Sequence, residues 1–317
     1  MRLSPRLRTL LISASVLAIA AAGTLVAMST SQAAADTTDS SYKVWHLNIA
    51  GNTLHDGSTT NGLIENFTKS IVNRDIDFVA MNEVCRNQYK AMQSALIDAG
   101  WVSNSVSFSR FASARSDSCN GYEFGNAIFS RHPLGTSATH TLPSDGRVEK
   151  RNMLCAPLEK QPTMRFCTTH ITTSNEVIDG EKINTTQLRF VNKKMLEYNK
   201  DKAAIIAGDF NAQPSYGRMN HWYSPNADSE YNGNNSGQFR ELDDTDKRCV
   251  GYGEHTTAGT NPPSPCPDTH KKIDMIFAHE DHIVGSYSGD SLAISQKCGG
   301  PCSDHRIVTG TVTLAVP

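Results

Sequence analysis

Residues 203–211, Ala-Ala-Ile-Ile-Ala-Gly-Asp-Phe-Asn, decide how the rest of the chain is read. A short unbroken apolar run ahead of a glycine, too brief for a helix, reads as a strand buried on both faces. Asp209 and Asn211 then straddle Phe210. On extended backbone, residues at i and i+2 point the same way, so an acceptor and an amide face one site together while Phe210 turns into the core. The bland reading is an Asx turn closing a buried strand, which Gly208 also suits.

The same design recurs on either side. Asn48 follows the apolar run KVWHL, Asn82-Glu83 follows IDFVAM, His170 follows MRFCTT, and Ser303-Asp304-His305 lies near the C-terminus. Lys272-Ile273-Asp274 opens a strand instead. Rigid strands ending in carboxylates, amides or imidazoles are how a sheet presents a site. Taken singly, each is more often a solvated strand end or a cap, and Asn82 is read as only that. Together their chemistry is complementary.

Strands are expected over residues 42–49, 76–82, 125–130, 151–158, 163–169, 203–207, 273–277 and 307–314. Helices are expected over 60–73 and 86–99, with a third through Leu188, Val191 and Met195. Residues 31–41 are small and polar and read as a flexible start. Residues 213–270, rich in Gly, Pro, Asn and Asp, read as a long loop region with short elements. Strands joined partly by helices and partly by turns imply two packed sheets with helices outside them, in one domain.

Arg2, Arg6 and Arg8, an apolar run from Leu10 to Met28 and then Ala33-Ala34-Ala35 occur in the order of a secretory signal peptide. Residues 1–35 are therefore expected to be removed, with cleavage before Asp36 and an extracellular destination. An uncleaved anchor is the alternative, but Ser13, Ser15, Gly23 and Thr24 dilute the run. The 317-residue chain carries 30 Lys and Arg against 32 Asp and Glu, and loss of the leader arginines makes the remainder more acidic. That balance argues against a protein holding nucleic acid by bulk charge, though not against an enzyme touching a phosphate backbone. All eight cysteines lie beyond the leader. An even count in an exported chain favours disulfides, and pairing sequence neighbours gives 85–119, 155–167, 249–266 and 298–302. Of these, Cys155–Cys167 is best supported, since the two residues flank runs that read as adjacent strands.

The order N…E…H…GDFN…KID…SDH resembles the endonuclease/exonuclease/phosphatase superfamily, nearest to its DNase I-like nucleases, from about Val44 to Val312. GDFNAQP at 208–214 and SDHRIV at 303–308 carry most of the resemblance. It implies an α+β fold, a four-layer αββα sandwich with the site at one end of the two sheets. Glu83 is a hard oxygen ligand suited to Mg²⁺, with Asn48 supporting the ion and Asp304 approaching from the other side; Mn²⁺ and Ca²⁺ are alternatives. The resemblance implies that Asp209 orients or deprotonates the attacking water and that Asn211 holds the phosphate. His305 shares a proton or stabilises phosphoryl charge, and Asp274 fixes its tautomer. His170 is a second imidazole, placed to protonate the leaving oxygen or bind phosphate. Glu123 is its expected carboxylate partner, and Tyr122 is the neighbouring phosphate contact. The remaining histidines have no motif around them and read as core or surface residues.

Among the basic residues, Arg151 is expected to face the site, while Arg147 and Lys150 read as solvated. DNase I-like enzymes carry an arginine two residues after the metal glutamate. Cys85 stands there in this chain and Arg86 follows it, which puts groove contact by that position in doubt.

The resemblance thus implies Mg²⁺-dependent phosphodiester hydrolysis by a secreted monomer, a DNase I-like endonuclease on nucleic acid, with DNA ahead of RNA as substrate. A sphingomyelinase-like phospholipase C acting on a lipid headgroup is the alternative, since NEVC at 82–85 resembles the NEV motif of those enzymes. They add an exposed aromatic hairpin, for which only Trp222-Tyr223 offers a counterpart here. A non-catalytic binding module on the same fold would have lost ligands or histidines that this chain retains.

Overall fold

In the computed structural model the described residues are 37–102, 105–227, 233–257 and 271–317, all within one compact unit, Asp36–Pro317. Alternation along β1 (Thr38–Asn48) shows how the layers are laid. Tyr42 and Val44 join an apolar layer with residues of a second sheet. Trp45 and Leu47, on the opposite face, pack beneath helices. The period of two that distinguishes a strand's faces is here the period that separates two cores.

The first sheet runs β13 (Ser288–Leu292), β14 (Ile307–Val316), β1, β2 (Phe78–Cys85), β4 (Tyr122–Ser130) and β3 (Ser109–Ser118). The second runs β11 (Phe239–Glu241), β12 (Asp274–His279), β10 (Ala203–Asp209), β7 (Met164–His170), β6 (Asn152–Pro157) and β5 (Ala138–Thr141). Each is mixed: β1 is parallel to β2 and β10 to β7, while the other neighbours are antiparallel. Helices α1 (Leu63–Asn73) and α2 (Arg86–Asp98) cover the first sheet. A short ribbon of β8 (Val177–Ile178) and β9 (Glu181–Lys182) leads into α3 (Ile183–Tyr198), which covers the second. This is the four-layer αββα sandwich expected from the sequence.

Several expectations shift. Residues 38–41 are not a loose start, because β1 pairs with β14 from Thr38 onward, opposite Val316. The first helix begins at Leu63, since Gly62 sits at φ 94, outside helical space. Strands β3, β5 and β13 fall outside the expected set. All three lie at or next to sheet edges, where one face meets water and the apolar signal thins. Trp222 and Tyr223 are fully buried. Trp222 lies edge-on to Phe210, with ring centroids 5.0 Å apart, so the pair is a core buttress and not an exposed aromatic tip.

Disulfides join Cys85–Cys119, Cys155–Cys167 and Cys298–Cys302. Cys155 and Cys167 are directly opposed on β6 and β7. The remaining expected pair involves Cys266, which lies outside the described residues. Among the described residues no helix is long and apolar enough to cross a membrane.

Candidate active site

At one end of the sandwich the layer between the sheets turns from apolar to polar. Val44 and Phe78, inward-facing on β1 and β2, give way to His46, Asn48 and Asn82. Ile205 and Ala207 on β10 give way to Asp209, and Phe166 on β7 to Thr168 and His170. All of these polar side chains are buried, so each needs a partner.

A ladder of amides supplies several. Asn126 Nδ2 donates to Asn152 Oδ1 (3.0 Å), and Asn82 Nδ2 donates to Asn126 Oδ1 (2.8 Å). Asn82 Oδ1 accepts the backbone N–H of Asp209 at 2.9 Å. Asn82 is therefore no solvated strand end; it pins the motif strand of the opposite sheet. The only sequence signal for this was its inward phase with Phe78 and Ala80.

Glu83 reaches the site through an irregularity. The β2–β4 register slips between Met81 and Val84, and Glu83 sits at φ 56. In a regular strand it would follow Met81 onto the helix-facing side; the bulge re-aims it. Its carbonyl accepts the N–H of Gly51 at 3.0 Å, and a Cβ on Gly51 would lie 2.6 Å from that oxygen, so glycine is required there. Gly208 is similarly constrained, with Thr169 O 2.2 Å from where its Cβ would stand.

Asp274, at the start of β12, is fully buried and holds two imidazoles. Its Oδ2 lies 2.7 Å from His305 Nδ1 and its Oδ1 lies 3.0 Å from His46 Nε2. Burial alone would raise this carboxyl, but the charge of His305 and the hydrogen bonds from both rings hold it well below the usual range. Burial would likewise depress His305, yet the charge and hydrogen bond of Asp274 outweigh it and raise the imidazole to about 10. Ser303 Oγ accepts the His305 N–H (2.9 Å) and donates to Asn48 O (2.6 Å), fixing the SDH turn on β1.

Asp209 ends β10 facing this pair. Its Oδ2 is 3.5 Å from His170 Nε2 and 3.9 Å from His305 Nε2. It also accepts Asn48 Nδ2 at 3.1 Å. Burial and then the charge of Asp274 push its carboxyl up to about 7. Asn211 does not continue the strand. It takes φ 46, gives its N–H to Asp209 Oδ1 (2.9 Å) and its side chain to Ile171 O (2.8 Å). The Asx turn and the polar grip are thus the same local structure.

His170 is buried, which together with the nearby Arg151 charge keeps its pKa well below the ordinary value. Asp209 is the carboxylate that reaches it. The expected partner Glu123 instead faces Arg86 at 3.8 Å. Arg151 is buried, with Nη1 2.9 Å from Glu149 Oε1. Tyr122 stands half exposed on the rim, and Asp304 is exposed beside His305.

Glu83 is held above the normal carboxyl range, chiefly by burial, as is Asp209. Buried acids left short of positive charge are what a divalent cation satisfies, and hard oxygen donors suit Mg²⁺. Asn48 Nδ2 lies 3.1 Å from Glu83 Oε1, while its Oδ1 accepts the Ala50 N–H; in this orientation the amide braces the carboxylates. Asp209, Asp274 and His305 also bring ligand-type atoms within 4.8 Å of one another, but Asp274 and His305 are taken up by each other at 2.7 Å, which leaves Glu83 and the exposed Asp304 as hard-oxygen donors. The donor set fits a divalent cation.

The fold has solved counterparts. The endonuclease/exonuclease/phosphatase family protein of Bacteroides thetaiotaomicron superposes with a TM-score of 0.59 at 18% identity, covering 87% of this chain and 98% of that one. That from Beutenbergia cavernae gives 0.58 at 19%, covering 87% and 72%. TDP2 of D. rerio, complexed with a single-strand DNA product, gives 0.56 at 17%, covering 86% and 99%. No curated protein matches the sequence. The Endonuclease/Exonuclease/phosphatase family itself matches residues 46–305, spanning His46 to His305 and every strand that furnishes the polar layer. The chain belongs to this family of divalent-metal-dependent, hydrolytic phosphoesterases.

Proposed function

We propose that this protein is a secreted, Mg²⁺-dependent phosphodiesterase that cleaves nucleic acid. One observation carries the reading: the buried carboxylate Asp209 faces His305, an imidazole that Asp274 grips at 2.7 Å. Asp209, with its pKa raised to about 7, lies 3.9 Å from His305, raised to about 10. Groups whose environments separate their protonation states supply base and acid from one pocket.

Asp209 orients the attacking water and accepts its proton. His305, protonated and aligned by Asp274, donates to a non-bridging phosphoryl oxygen as charge grows there. Asn211 holds the phosphate beside it. The proton taken by Asp209 passes through His170, 3.5 Å away, to the leaving oxygen, the buried Arg151 adds positive charge beside it, and Tyr122 and Glu123 line the outer rim. Glu83 and Asp304, with Asn48 once its amide is turned, would hold Mg²⁺. The ion supplies Lewis-acid stabilisation of the phosphoryl and leaving oxygens.

The disulfides support export to an oxidising compartment. Trp222-Tyr223, the counterpart the lipid reading needs for an aromatic tip, is buried. The test is parallel incubation of the purified protein with plasmid DNA, RNA and sphingomyelin, with Mg²⁺ and with EDTA. Metal-dependent cleavage of DNA or RNA is expected; release of phosphocholine alone would replace the reading with the lipid one.

A further inference from the structure

A second polar cavity opens at the same end of the second sheet. It has a volume of about 260 Å³ and includes Asn211, Tyr216, Arg218, Lys271 and Ile273 in its lining. Asn211 lies two residues beyond Asp209, and Ile273 immediately precedes Asp274. Thr173, also in the lining, lies three residues past His170. The cavity therefore abuts the point where the three catalytic strands of that sheet end.

Its floor is cationic and set in place. The Arg218 guanidinium lies over the Tyr216 ring at 4.4 Å, and Nη2 donates to the Asn211 carbonyl at 3.2 Å. Its Nε is buried with no hydrogen-bond partner. Among the described residues no carboxylate pairs with this arginine, and burial lowers its pKa. A half-buried guanidinium with no counter-charge, sharing one cavity with Lys271, is matched to an anion, above all a planar or tetrahedral oxyanion. Lys271 adds a second positive charge, its backbone fixed by hydrogen bonds with Thr256 and Thr257.

We propose that this cavity is a subsite for a second phosphate of the substrate chain, adjacent to the scissile one. This rests on the phosphodiesterase reading of the neighbouring site and narrows its substrate to an oligonucleotide. The volume falls below the roughly 300–1,000 Å³ of pockets that enclose whole small ligands, which suits one phosphate and its ester arms. A choline-type headgroup carries a positive charge and would be repelled by Arg218 and Lys271.

The test uses a short single-stranded oligonucleotide cleaved at one mapped bond. The phosphate on one side of that bond, then on the other, is replaced by an uncharged methylphosphonate. With the full-length protein and Mg²⁺, neutralising one flank is expected to lower kcat/KM at the mapped bond by about tenfold, the loss of a charge-assisted contact. In Arg218→Gln/Lys271→Gln that ratio should fall to near one, whereas Arg218→Lys should keep part of it. Equal cleavage of all three oligonucleotides by the wild type, or a ratio that survives in the double variant, overturns the subsite while leaving the phosphodiesterase reading intact. Failure to cleave any oligonucleotide, with sphingomyelin hydrolysed, overturns both.

Discussion

His46 and Asp274 meet between the two sheets, both fully buried, with Nε2 3.0 Å from Oδ1. The other oxygen of the same carboxylate takes His305 at 2.7 Å. Asp274 is thereby held through both of its oxygens, one of them by a residue on the opposite sheet.

That arrangement makes His46 a positioning residue whose effect depends on donation and not on bulk. His46→Gln keeps an amide donor near Nε2, whereas His46→Leu keeps the volume without it. Steady-state kinetics should show kcat reduced on the order of tenfold in the leucine variant, KM unchanged, and most of the loss restored by glutamine. Equal losses in both variants, accompanied by a lower Tm, would make His46 a packing residue only.

Removing the Glu83 carboxylate should abolish turnover without unfolding the chain. Glu83→Gln preserves shape and the contact with Asn48 but loses the charge a divalent ion needs. A Mg²⁺ titration of activity, with circular dichroism as the control, checks this. Wild-type rates at limiting Mg²⁺ would show that the ion is held elsewhere.

Lys272 shows what the motif strand rests on. It is fully buried, with Nζ 3.1 Å from Glu241 and 3.0 Å from Asp243. Lys272→Met should destabilise the fold by about 3–5 kcal/mol, because two buried carboxylates lose their counter-charge. Adding Glu241→Gln and Asp243→Asn should recover much of it. Urea unfolding of the single and triple variants measures both quantities.

The Asp274–His305 pair also sets a pH window. The folded pKa of His305 is raised from 6.5 to about 10. The stabilisation it brings is therefore full below 6.5 and lost as pH rises through 10. Asp274 is depressed, so its share is present above its ordinary value of 3.8 and lost only in stronger acid. The Tm advantage of wild type over His305→Ala, measured in EDTA, should be greatest near pH 5–6 and shrink towards pH 10.

Much of this was legible in the sequence because buried strands advertise themselves. Apolar runs ending in Asn48, His170 and Asp209 placed the polar layer correctly, and the αββα order followed. What escaped detection depends on partners remote in sequence. His46 sits mid-strand beside Trp45 and Leu47, and only the approach of β12 gives it a role. Asn82 gains its function from Asp209 across the sheets. Glu83 faces the site because of a bulge that no residue type announces. The Glu123 partnership failed for a related reason: the rim of β4 turns towards Arg86, and Asp209 takes its place beside His170.

The most direct test of the catalytic account is the double-mutant cycle on Asp274 and His305. General acid–base participation is worth on the order of 10² to 10⁴ in rate, so His305→Ala should lower kcat by at least about a hundredfold. Asp274→Asn should cost less, since a misaligned imidazole remains. If the pair acts as one unit, the double variant should be no slower than His305→Ala. A double variant slowed by the product of the two single losses would mean that the residues act independently, and the central claim would be wrong.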